Sequence, residues 1–141
     1  MSRQTIFQAI YNALNSSPPT YTWNSTTYTY TILSAFPDTN PVFPCIVINP
    51  ATKNTTSLGV AWTTDKRSAK VNVNIDFYAP VSHGKGAIDS ARDTVEALIG
   101  NLKSSTFYLT HDPFEDTEVD KMEYNDQTLN TATMMVYMTA R

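Results

Sequence analysis

Ala69-Lys-Val-Asn-Val-Asn-Ile-Asp-Phe-Tyr-Ala79 is the stretch on which the fold turns. Val71, Val73, Ile75 and Phe77 alternate with Asn72, Asn74, Asp76 and Tyr78. Successive side chains of a strand point to opposite faces, so this period of two predicts a strand with one buried and one wet face. Pro80 ends it. Just beyond, Gly84-Lys85-Gly86 opens a helix predicted to run to about Lys103. Ile88, Ala91, Val95, Leu98, Ile99 and Leu102 fall on one stripe of that helix, and Asp89, Arg92, Asp93 and Glu96 fall on its wet face.

Upstream, residues 58–63 read as a short strand and residues 52–57 as a polar loop or hairpin tip. Phe43-Pro-Cys-Ile-Val-Ile48 is an apolar strand closed by Asn49-Pro50, and Pro37, Pro41 and Pro44 cut the preceding chain into short extended pieces. Residues 20–31 are Thr, Tyr, Trp and Asn; their β-branched and aromatic content predicts a strand, or part of an extended arm over 18–42. In residues 3–15, Ile6, Phe7, Ile10, Tyr11 and Leu14 make one helical stripe that Ser2 caps and Pro18-Pro19 stops.

Downstream, residues 106–109 read as a short strand. Residues 111–126 carry seven carboxylates (Asp112, Glu115, Asp116, Glu118, Asp120, Glu123, Asp126) against Lys121, with 119–124 a candidate strand. The last strand, 131–139, sets Ala132, Met134, Val136 and Met138 on one face and Thr131, Thr133, Met135 and Tyr137 on the other. The order is helix, strands, helix, strands. It predicts an α+β two-layer domain: an antiparallel or mixed sheet of four to five strands with two helices on its apolar face.

The 141 residues make one domain by size, 1–141. At 41% hydrophobic and 11% aromatic the chain has enough apolar material for a core. Charged residues are only 16% and the net charge is −3, which excludes a strongly basic nucleic-acid footprint over the whole domain. The lone Cys45 excludes an intrachain disulfide and a multi-cysteine zinc cage. Residues 1–14 lack the pattern of a secretion signal, and no apolar run is long enough to span a membrane. The expectation is a soluble protein made in a cytoplasm, with no membrane partner.

No catalytic residue and no metal ligand can be nominated from spacing. His111, Asp112, Glu115 and Asp116 have the ligand types for a hard divalent ion, but a run of acids reads first as a solvated segment. Cys45, between Pro44 and Ile46, sits in apolar surroundings that disfavour a reactive thiolate. Gly84-Lys85-Gly86 lacks the rest of a phosphate loop and reads as a hinge. Tyr21, Trp23, Tyr28 and Tyr30 lack the interleaved Arg or Lys of a stacking platform for single strands, which favours packing or subunit contact.

The element order, the Phe-Pro-apolar strand 43–48, the strand 70–79 ending at Pro80, the helix 86–103 and the terminal strand 131–140 together resemble the tail terminator proteins of long-tailed bacteriophages (tail completion, minor tail protein U-like). The resemblance covers nearly the whole chain, and the tyrosine-rich stretch 21–30 lies outside it. It implies a hexameric ring that caps the tail tube at its head-proximal end, stops its polymerisation and joins it to the head. Its partners would be further copies of itself, the tail tube protein and a head–tail connector or head completion protein. DNA would pass through the lumen without specific binding. The resemblance implies a structural virion protein without a cofactor, not an enzyme.

A DNA passage works best without grip, because each phosphate neutralised by Lys or Arg adds salt-dependent affinity. Asn72, Asn74 and Asp76 are therefore the expected lumen-lining residues. The expected subunit interface sets basic Lys66, Arg67 and Lys70 against acidic Asp112, Glu115, Asp116, Glu118 and Asp120 of a neighbour, as head-to-tail contacts require. The competing readings are another connector or tube subunit, a metal-dependent hydrolase using His111, Asp112 and Glu115, and a small binding module using its aromatic run.

Overall fold

The computed structural model describes residues 3–36, 42–49, 52–57, 67–102, 107–124 and 126–140. The helices α1 (Arg3–Ser16) and α2 (Gly86–Gly100) accompany the strands β1 (Thr20–Trp23), β2 (Thr26–Thr29), β3 (Thr31–Leu33), β4 (Cys45–Ile48), β5 (Thr52–Ser57), β6 (Arg67–Pro80), β7 (Phe107–Asp116), β8 (Asp120–Tyr124) and β9 (Gln127–Ala140). The class is α+β.

The sheet is larger than the four to five strands expected. It has seven, in the order β3-β4-β6-β9-β7, with β5 added on β6 and β8 on β9. Its axis is the antiparallel pair β6–β9, registered from Ala69↔Ala140 to Pro80↔Leu129. Each of these strands has 14 residues and reaches about 45 Å, so two short strands fit along each outer edge. β4 and β5 divide the length of β6, while β8 and β7 divide that of β9. All pairings are antiparallel except β3–β4.

The alternation of β6 holds residue by residue. Val71, Val73, Ile75, Phe77 and Ala79 are buried, and so are their β9 companions Ala132, Met134, Val136 and Met138. The helices cover this face. Ile6, Ile10 and Leu14 of α1 join Ala87, Ile88, Ala91, Val95 and Ile99 of α2 in one core with the sheet. Burying an Ile or Leu there contributes about 2 kcal/mol, which is why stripe positions, rather than helix propensity, decide where these helices form. α1 ends at Ser16, before Pro18. α2 ends at Gly100, short of the Lys103 expected, with the Asn101 amide bonded to Ala97 O.

Several polar or aromatic stretches fold differently from their reading. Residues 52–57 are an edge strand, not a loop: Thr52 to Ser57 pair with Asn72 to Arg67. In the acidic segment β8 matches the candidate strand 119–124, while β7 runs on past the expected 106–109 as far as Asp116. Residues 20–29 form an antiparallel hairpin of their own, separate from the main sheet. Asn24 (φ 50°) and Ser25 (φ 63°) make its two-residue turn, the left-handed pair that matches strand twist. Tyr21 and Tyr30 anchor the hairpin in the core, and the Tyr30 hydroxyl donates to Ala87 O at 3.1 Å. Residues 20–33 are therefore mostly strand packed on the domain through Tyr21, Tyr30 and Ile32. The expected cap Ser2 and the expected strand 58–63 lie outside the described residues.

Candidate functional site

The face of the sheet away from the helices carries Asn72, Asn74, Asp76, Thr131, Thr133, Met135 and Tyr137, in register across β6 and β9. One end of this face is covered. Phe36 and Phe43, from the segment between β3 and β4, fold over Tyr78 of β6 and Tyr124 of β8. Ring centroids are 5.0 Å apart for Phe36–Tyr78, 5.1 Å for Phe36–Tyr124 and 6.1 Å for Phe43–Tyr124. Cys45, registered with Tyr78, and Leu129, registered with Met122 and Pro80, are fully buried at this end, outside the main core. Burial pushes the Cys45 thiol up to about 12. It pushes the Tyr78 hydroxyl to about 12 as well, with smaller contributions from Asp76 and Cys45. Sequence reasoning missed this second cluster, because its rings come from three separate segments with no shared period.

Beyond the cover the face is open. Asn74 is exposed, and Asn72 and Asp76 are half-buried. Asp76 is tied down: Thr133 Oγ1 donates to its Oδ1 at 2.6 Å and Asn49 Nδ2 donates to its Oδ2 at 2.9 Å. Asn49 also holds Asn74 O through its backbone amide and its side chain. Farther along, the Tyr137 hydroxyl donates to Glu115 Oε2 at 2.8 Å, and that bond holds the phenol proton more firmly than usual. The three residues expected to line a lumen thus share one face, and two are free of charge.

The residues expected to form an interface lie on the two sides of the β6–β9 axis, the basic ones on an inner strand and the acidic ones on and between the outer strands. Arg67 and Lys70 belong to β6 where β5 flanks it; Lys70 is exposed. Asp112, Glu115 and Asp116 belong to β7 and Asp120 to β8, on the far side of β9, with Glu118 between them. Glu115, Asp116, Glu118 and Asp120 are exposed. They do not make one acidic patch. Glu115 pairs with Met135 and Asp120 with Thr131, on the open face, whereas Asp116 pairs with Met134, on the helix side. There Asp116 and Asp93, after burial, help to hold the Glu96 carboxyl above its usual range, and Arg92 opposes them. Lys66 and the side chains of Arg67, His111 and Asp112 lie outside the described residues. Among the described residues no three His, Cys, Asp or Glu side chains are placed to hold a metal ion, and no helix is long and apolar enough to cross a membrane.

The four aromatics of 20–31 do not form an open platform. Tyr21 and Tyr30 are buried, and Trp23 and Tyr28 close on the imidazole of His83. Comparison of the chain with known proteins finds no matching family model and no matching curated protein.

Proposed function

We propose that this chain is a ring-forming structural protein of a long-tailed bacteriophage: a tail terminator that caps the tail tube, stops its growth and joins it to the head. The supporting observation is the open face of the β6–β9 pair. It is long and stiff, backed by the helices, and lined by neutral Asn72 and Asn74 beside an Asp76 whose carboxylate is already bonded on both oxygens. Facing a central hole, such a wall offers a polyanion little to grip. Opposite signs on the two sides of the β6–β9 axis suit a head-to-tail ring, in which Lys70 of one copy meets Glu115 and Asp120 of the next, on the same face.

Negative-stain imaging of the concentrated protein tests the reading. Closed rings of one size that do not stack without limit are the expected result. Unlimited tubes would move the assignment to a tube subunit. Particles that stay single at every concentration and in the presence of tail tubes would overturn it.

A further inference from the structure

We propose that His83 is a proton-operated latch that holds the β1–β2 hairpin onto the body of the domain in its neutral form and releases it on protonation. The inference is independent of the ring proposal. His83 ends a short 3-10 turn, Val81–His83, between β6 and α2. Pro80 (φ −56°) enters that turn and Gly84 (φ +83°) leaves it, so the backbone on both sides is fixed. The imidazole lies against Trp23, with centroids 4.4 Å apart and planes 27° apart, and against Tyr28 at 4.5 Å. Tyr21 meets it edge-on at 5.5 Å, and the Tyr21 hydroxyl is hydrogen-bonded to Nδ1 at 2.5 Å. Three aromatic rings from both strands of the hairpin thus close on one side chain.

The hairpin needs this contact. A two-stranded ribbon alone is marginal in water, and this one shares no ladder with the main sheet. Tyr21 and Tyr30 dock one side of it; His83 supplies the dock for Trp23 and Tyr28.

In the neutral ring with its proton on Nε2, Nδ1 accepts the Tyr21 proton. Protonation makes Nδ1 a donor and puts a cation among three rings. Among the described residues no anion is placed to receive it. From the hairpin the facing groups are Tyr21, Trp23 and Tyr28, and burial pushes the Tyr21 hydroxyl up to about 12, so it stays neutral. From the turn's own chain they are Ser82 and Lys85. β9, which also packs on the turn, has Tyr137 as its one ionisable group among the described residues, far from the turn. On α2, Asp89 is engaged with Arg92. The faces of Trp23 and Tyr28 return part of the lost hydration to a cation, but burial is the cause that moves the imidazole, and it moves it downward. The released hairpin, with its imidazole in water, therefore takes the proton more readily. Docking is full above the ordinary histidine value near 6.5 and weakens as the pH falls through the docked value.

The experiment is an NMR titration of His83 with amide hydrogen exchange of residues 20–29, corrected for intrinsic rates, between about pH 7.5 and 5.0. The wild-type His83 resonance is expected to titrate below the ordinary value. Hairpin protection should fall several-fold over the same range while β6 and β9 amides keep theirs. In His83→Phe, which keeps a ring but no titration, and in His83→Gln, which keeps a polar partner for Tyr21, hairpin protection should be independent of pH. A His83 that titrates at or above 6.5, or a hairpin with the same pH response in both variants as in the wild type, would overturn the latch.

Discussion

Thr133 gives its hydroxyl proton to Asp76 across the β6–β9 ladder at 2.6 Å. Asn49 bonds the other carboxylate oxygen at 2.9 Å, so one charge stitches β6 and β9 to the chain just after β4. Thr133→Val should cost about 1 kcal/mol and Asp76→Ala about 2 kcal/mol, because the second strands two donors at once. Urea denaturation of the two variants and their double mutant checks this. The double mutant should cost less than the sum, as expected for residues in one network; strict additivity would mean that the bond contributes nothing.

Asn74 shares that face but is exposed, and its side chain has no partner among the described residues. Asn74→Arg should leave stability within about 0.5 kcal/mol. In a ring it would add one cation per copy to the wall. Particles carrying it should assemble yet deliver DNA poorly, which an infectivity assay with parallel denaturation curves reads. Unchanged infectivity would remove Asn74 from the lumen.

Cys45 is fully buried, and its thiol is pushed up to about 12. Disulfide reagents attack thiolates, so labelling at neutral pH should be slow and should track opening of the structure. Phe36→Ala should accelerate it, because Phe36 packs edge-on against Tyr78, the cross-strand neighbour of Cys45. Rapid labelling of the native wild type would contradict the packing of this cluster.

The main layer of the fold was legible because its two longest strands obey a strict period. Val71, Val73, Ile75 and Phe77 face Met138, Val136, Met134 and Ala132 in register, and every one is buried. The polar edge strand β5 was not legible. Residues 52–57, Thr-Lys-Asn-Thr-Thr-Ser, have no apolar side; they are strand because β6 offers them a ladder. Asp116 and Glu115 were read as one acidic patch, but consecutive strand residues point to opposite faces, and register alone separates them. The three candidate lumen residues were legible from alternation. The bonds that hold Asp76 and the box around His83 were not, since their partners lie 27 to 62 residues away.

Glu96 carries a pH signature. Burial first, then Asp116 and Asp93, hold its carboxyl above the usual range. The folded state therefore binds that proton more tightly than the unfolded chain, and ionised Glu96 weighs against folding at neutral pH. Glu96→Gln should raise the urea midpoint at pH 7. The gain should fade as the pH falls and vanish below about 4, where the wild-type carboxyl is protonated in both states. A gain of equal size at both pH values would assign it to helix propensity instead.

The opposed sides give the assembly reading its sharpest check. Lys70→Glu places a carboxylate where β6 and β5 meet the proposed neighbour, and it should lower the fraction of closed rings. Glu115→Lys or Asp120→Lys, on the other side and the same face, should do likewise alone. Combining Lys70→Glu with one of them restores opposite signs and should recover part of the rings, with the defect growing smaller as salt screens it. Mass photometry reads ring fraction, and the monomer fold should hold, since these side chains are exposed, although Glu115→Lys gives up the bond from Tyr137. Rescue by one acidic partner and not the other would fix which register the copies adopt. Loss without rescue by either would mean that Lys70 acts somewhere other than across a boundary between copies.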